Sequence, residues 1–204
     1  IGLIRAFGVE SSFSDPASAT LTGGAVTSGS TLLVAVPIPD TRIVGGMTGS
    51  DPNTPPTLNG SDAVAFTLDG YKRNQPGDGN IYFFRRDNIT SGITSVSVDI
   101  TTVDIISFLV EEISVTSTAT AIDLALTDVS GGFGTSVSIG YTTGAANTFA
   151  KVVVTCASDV ALTGTGGYTA ENITGLAYNG LYLTDTGTAG AKTATGTFAS
   201  GVNW

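Results

Sequence analysis

The chain of 204 residues contains no histidine. Without imidazole it can hold no Ser-His-Asp or Cys-His nucleophile machinery, no histidine general base, and no zinc or copper site built on imidazole ligands. Cysteine is nearly absent as well. A single Cys156 excludes any intrachain disulfide, and its setting in Lys151-Val-Val-Val-Thr-Cys156 predicts a buried strand with a structural thiol. The lack of disulfides selects no redox compartment, because secreted bacterial and virion β-proteins of this size dispense with them.

Charge is also scarce. Charged residues make up 12% of the chain, about half the usual globular share of roughly 25%. The balance is acidic, with 17 Asp and Glu against 8 Lys and Arg and a net charge of −9, which repels nucleic acid and anionic lipid. Nucleic acid is therefore not an expected partner. The longest apolar runs, residues 31–39 and 105–110, fall far short of the ~20 residues that carry a helix across a bilayer, so no membrane insertion is expected. The first residue is Ile1 rather than Met, which predicts proteolytic maturation or excision from a precursor.

What is present is hydroxyl, glycine and apolar side chains. Counting gives 32 Thr and 19 Ser, a quarter of the chain, beside 27 Gly and 41% apolar residues. This mixture favours strands and turns over helices, and it carries enough apolar surface to build a core. Short apolar or alternating segments recur between turn residues, as in a sandwich or jelly roll. Strands are predicted at 3–9, 19–21, 31–36, 42–44, 63–71, 80–86 and 95–100, then at 105–115, 121–126, 136–141, 148–156, 175–183 and 192–199. Residues 94–100 and 121–126 alternate cleanly and read as half-buried antiparallel strands, whereas 105–110 is apolar almost throughout and suits a central strand covered on both faces. One turn of helix is allowed near 170–173. The expected fold is a single all-β domain over residues 1–204, an antiparallel β-sandwich of jelly-roll type, with residues 1–10 an edge strand or one exchanged with a neighbour.

Two stretches read as loops. Residues 45–62 include Ser50-Asp-Pro-Asn-Thr-Pro-Pro56, whose prolines remove backbone donors, and predict a long surface loop. Thr163-Gly-Thr-Gly-Gly-Tyr168 lacks the lysine and the strand-to-helix setting of a phosphate loop and reads as a turn.

The order of segments resembles a known family. Gly29-Ser-Thr-Leu-Leu-Val-Ala-Val36 is followed by Asn80-Ile-Tyr-Phe-Phe-Arg-Arg-Asp-Asn-Ile-Thr-Ser-Gly92, by Phe108-Leu-Val-Glu-Glu-Ile-Ser-Val115, by Tyr141-Thr-Thr-Gly-Ala-Ala-Asn147, and by Gly190-Ala-Lys-Thr-Ala-Thr-Gly-Thr-Phe198 near Trp204. This succession resembles the β-sandwich modules of phage virion proteins and of bacterial or archaeal surface proteins. The resemblance implies a structural or adhesive role without a catalytic signature. Such modules continue past the tryptophan with one further apolar strand, which implies a strand supplied from elsewhere, with residues 3–9 the candidate donor.

Candidate contact residues follow from these readings. Leu3, Ile4, Phe7 and Val9 would line the exchanged or edge strand, and Trp204 closes the chain. Lys72, Arg73, Arg85 and Arg86 flank Gln75-Pro-Gly-Asp-Gly79, and a hairpin there predicts one local positive surface for packing against the acidic face of a neighbour, unless Asp69, Asp78 and Asp87 neutralise it. Asp78 and Asn80 offer two oxygen ligands but no complete calcium loop, so no cofactor is expected, scattered structural calcium being the alternative. Glu111 and Glu112, adjacent on one strand, would point to opposite faces and are expected at the surface rather than as a catalytic pair. Tyr168, Tyr178, Tyr182 and Trp204 could stack on sugars or pack in the core. Sequons at Asn59, Asn88 and Asn172 are no more frequent than this composition produces by chance. The expected function is a non-enzymatic structural subunit of an extracellular or virion assembly, whose partners are copies of itself or other subunits. The alternative is an adhesin or carbohydrate-binding module with a glycan receptor.

Overall fold

A computed structural model describes residues 2–12, 17–20, 24–38, 55–73, 80–90, 92–99, 106–114, 133–156, 160–172, 178–184 and 186–203. Among them every regular element is a strand, and the fold is all-β. Length alone predicts one domain, but the chain divides into two compact units, Leu3–Thr120 and Ala121–Trp204 with Ile1–Gly2. The physical reason lies in the apolar side chains, which condense into two clusters with no residue in common.

The first unit contains β1 (Gly2–Ser12), β2 (Ala17–Thr20), β3 (Thr31–Ile38), β4 (Thr57–Gly60), β5 (Thr67–Arg73), β6 (Asn80–Arg86), β7 (Ser95–Asp99) and β8 (Ile106–Ser114). A five-stranded sheet runs in the order β1-β8-β3-β6-β5, and a three-stranded sheet runs β2-β7-β4. Register brings the apolar positions onto shared faces. Val34 lies opposite both Phe84 and Val110, and Val36 lies opposite Tyr82, while in the smaller sheet Val98 lies opposite both Ala17 and Leu58. Val34, Val36, Tyr82, Phe84, Phe108 and Val110 join Ala19, Leu58, Val96 and Val98 in one buried cluster drawn from both sheets. Each such large side chain removed from water contributes about 1.5–3 kcal/mol, which makes the alternating pattern the main folding signal. The largely apolar run at 105–110 falls, from Ile106 on, in the inner strand β8, with Phe108, Leu109 and Val110 all buried.

The second unit contains β9 (Phe133–Thr143), β10 (Ala150–Thr155), β11 (Leu162–Thr165), β12 (Thr169–Asn172), β13 (Tyr178–Leu183) and β14 (Gly190–Asn203). Its sheets run β10-β13-β12 and β11-β14-β9. Val137, Ile139, Ala194, Phe198 and Val202 from the latter join Val154 and Leu181 from the former in one cluster.

Three strands depart from the sequence reading. The last part of the predicted loop 45–62 forms β4, paired with β7. The predicted turn 163–168 begins as β11, and only Gly166 and Gly167 turn, with φ of 62° and 90°. The helical turn expected near 170–173 is strand β12 as far as Asn172, because tertiary pairing with β13 overrides the local preference of Ala-Glu-Asn. Asn172 also clasps β11, its side chain accepting from the Leu162 amide at 2.7 Å and donating to the Leu162 carbonyl at 2.8 Å. The predicted strands at 42–44 and 121–126, and most of the loop 45–62, lie outside the described residues.

Gly164 is where the β11–β12 connection is least tolerant. A β-carbon there would sit 2.1 Å from the Tyr168 carbonyl oxygen and 3.1 Å from the Ala170 amide nitrogen, both backbone atoms that cannot swing away. Gly164→Ala is therefore expected to cost about 2–4 kcal/mol by forcing the β11–β12 turn apart, while Thr163→Ala, at an exposed neighbour, stays within about 0.5 kcal/mol. Urea unfolding of the two variants checks this.

Candidate functional site

The basic quartet was the sequence's main site, and register separates it. Arg85 lies opposite Thr67, whereas Lys72 lies opposite Ile81 and Arg73 opposite Asn80. Four residues along β6 amount to about 13 Å, so Lys72 and Arg73 sit at the other end of the hairpin from Arg85 and Arg86. The arginines are engaged inside the fold. Arg86 makes a two-pronged pair with Asp62, at 2.7 Å and 2.6 Å, which ties β6 to the turn after β4. Arg85 lies between Asp69 at 3.2 Å and Asp87 at 3.3 Å, and its Nε has no hydrogen-bond partner. Burial pushes the Asp69 carboxyl above its ordinary value against the pull of Arg85, with Asp87 adding to the push. Neutralisation within the unit thus does come from Asp69 and Asp87, joined by Asp62, which sequence reasoning missed. Asp78 lies outside the described residues.

Glu111 and Glu112 are both buried, which corrects their expected surface position. They occupy an inner strand whose successive residues Phe108 to Ile113 are all buried, so side chains on both its faces are covered. Glu112 shares its face with Leu32, directly opposite on β3, and with Val110 of the core. A carboxylate with 0% exposure costs several kcal/mol unless it is paired and hydrogen-bonded. Glu112 has both kinds of partner. Arg5 Nε approaches Glu112 Oε2 to 2.5 Å, and the Thr27 amide donates to Oε1 at 2.8 Å. The remaining Arg5 nitrogens donate to the carbonyls of Gly24 at 3.0 Å and Ala25 at 2.9 Å. Burial works against ionisation of Glu112, but the Thr27 amide and the Arg5 guanidinium outweigh it and hold the carboxyl below its ordinary value.

This cluster decides where the N-terminal segment goes. Leu3, Ile4, Phe7 and Val9 all lie in β1, at the edge of the five-stranded sheet beside β8. Ile4 is 44% exposed, while its neighbour Arg5 anchors the strand to Glu112. The sequence offered a signal for Arg5 only in retrospect: a lone cation in an apolar strand, matched to a lone acid pair in an apolar strand.

The last third of the chain sorts its aromatic residues between core and surface. Tyr168 is buried and its hydroxyl meets that of Tyr141 at 2.5 Å, with burial and this contact raising its ionisation well above the ordinary phenol range. It cannot stack on a sugar. Tyr182 lies on the other face of its sheet, stacked on Phe149 with ring centroids 6.0 Å apart. Beside it, Lys151 and Glu171 pair at 2.5 Å across the central strand, over Gly180, where a β-carbon would meet the Lys151 side chain. Trp204 lies outside the described residues, and Tyr178 belongs to β13. The Cys156 thiol is buried and accepts from the Asn179 side chain at 3.5 Å. Among the described residues no three His, Cys, Asp or Glu side chains converge in a way that could hold a metal ion, and no helix is long and apolar enough to cross a membrane.

No protein-family model, no curated protein and no solved structure matches this chain.

Two outcomes follow for the Glu112 cluster. Arg5→Ala leaves a buried carboxylate without its cation and is expected to cost about 3–5 kcal/mol in urea unfolding. Because the folded Glu112 carboxyl ionises below its ordinary value of 4.5, its stabilisation is complete above that pH and is lost as the pH falls through the folded value. Stability curves of the wild type and Glu112→Gln should therefore converge below pH 4.5 and separate above it.

Proposed function

We propose that the protein is a non-enzymatic structural subunit of an extracellular or virion assembly, of the kind formed by capsid decoration, tail, fibre or surface-filament proteins, and that it works through strand and apolar contacts between copies. The observation that carries this reading is the use made of charge. Arg5 with Glu112, Arg86 with Asp62 and Lys151 with Glu171 each fasten one segment of backbone to another within the fold, and among the described residues no three acids cluster around any of them. A chain without histidine whose described ion pairs serve as internal fasteners is read here as offering surface rather than chemistry.

The five-stranded sheet suggests where copies would meet. Among the described residues its edges are β1 and β5. In β5 the register shifts between Leu68 and Gly70, and a bulge of this kind twists an edge away from edge-to-edge pairing. The β1 edge, 11 residues long with Ile4 exposed, suits strand addition by another copy.

Size exclusion with light scattering tests this. The wild type is expected to run as an assembly well above the 20.5 kDa of one chain, and Ile4→Lys, which leaves Arg5 in place, is expected to return it to one chain with its β-sheet circular dichroism unchanged. A wild type that stays at 20.5 kDa in micromolar solution would sink self-assembly through β1.

A further inference from the structure

We propose that the outward face of the β11–β14–β9 sheet binds a neutral polysaccharide chain. This does not rest on self-assembly, and the site is not the tyrosine cluster that the sequence points to.

The face is built by register. Thr197 of β14 lies between Thr163 of β11 and Ser136 of β9, and Thr195 lies between Thr165 and Ser138, giving two successive rows of three hydroxyls across three strands. Thr193 continues the line along β14, opposite Gly140. Residues two apart on a strand share a face, so these hydroxyls repeat about every 6.7 Å along the strand and about 4.8 Å between strands. Their inward neighbours Ala194, Gly196 and Phe198 are buried, which fixes the direction of the threonines. All are exposed except Thr195, which is half-buried and accepts a hydrogen bond from Thr165 Oγ1 at 2.8 Å.

A second feature ends the same face. Beyond the register shift between Thr197 and Val202, Phe133 enters β9 opposite Asn203 and is 77% exposed. Its ring lies against Gly201, where a β-carbon would be 2.6 Å from the ring, so the glycine seats the ring close to the backbone. A large aromatic side chain held in water costs free energy, and here nothing of its own sheet covers it.

Each property of the face selects the occupant. None of the outward residues of these three strands is charged, so an anionic or cationic polymer gains nothing there. Hydroxyls both donate and accept, which matches the hydroxyls of a sugar chain, and an exposed ring offers its face to the C–H side of a pyranose. The surface is a sheet rather than a concavity, and Thr193 to Thr197 alone spans about 13 Å, which suits an extended polymer and not a single sugar in a pocket. A second copy of the chain fits less well, because the cores of protein interfaces are rich in large apolar side chains and depleted in serine.

The test is retention of the full 204-residue chain on insoluble cellulose, chitin and xylan, with alginate beads as a charged control. Retention is expected on at least one neutral matrix, to be insensitive to salt, and to weaken about tenfold in Phe133→Ala. Thr193→Glu with Thr197→Glu should abolish it while leaving the far-ultraviolet circular dichroism unchanged. No retention on any of the three neutral matrices overturns the proposal, and so does retention that these variants leave unaltered. If the double variant lowers the solution mass of the chain while no matrix retains the wild type, the face is a contact between copies and the proposal is wrong. Should the double variant misfold, Phe133→Ala still decides, because the exposed ring can be removed without opening the core.

Discussion

A carboxylate removed entirely from water sets the terms for the first unit. Glu112 stands among Leu32, Val110 and their neighbours, and an ionised acid there is tolerable only with a cation and a backbone donor in place. Two segments remote in sequence are therefore obliged to reach it: β1, which brings Arg5, and the loop before β3, which brings the Thr27 amide and the carbonyls that receive the rest of the guanidinium. The edge position of β1 follows from that obligation as much as from its apolar side chains. A strand held by a buried ion pair has a defined register even where no described strand pairs with its outer side.

Charge elsewhere is used in the same way. Asp62 takes Arg86 across from the small sheet's turn to the large sheet, and Lys151 reaches Glu171 over the central strand of the second unit. In both units these pairs tie segments that are remote in sequence. The chain carries a net charge of −9, and among the described residues Ile4 and Phe133 are apolar side chains left exposed.

Most strands were legible because they announce themselves by alternation or by an apolar run. Thr31–Ile38, Asn80–Arg86, Ser95–Asp99 and Ile106–Ser114 fall where the pattern places them. The strands that escaped detection are short and poor in β-branched apolar residues: Thr57–Gly60, Leu162–Thr165 and Thr169–Asn172 exist because a neighbour pairs with them. The candidate site was less legible. The basic quartet is close in sequence but is separated by the hairpin register, and Glu112 reads as a surface residue because its cation, Arg5, lies more than a hundred positions away. The outward threonines of β14 were present in the sequence as Thr193-Ala-Thr195-Gly-Thr197, but their rows with β11 and β9 come from pairings across gaps of 30 residues and more.

Composition and local pattern by themselves determined that this protein is all-β, has no imidazole chemistry and folds around apolar strands, since each of these depends only on which residues are present and how they alternate. Only the tertiary structure decided that there are two cores rather than one, that Glu112 is buried and paired with Arg5, and that three strands align their hydroxyls into rows. Those outcomes are set by long-range register and by the cost of burying charge, and neither quantity is written in any local stretch of the chain.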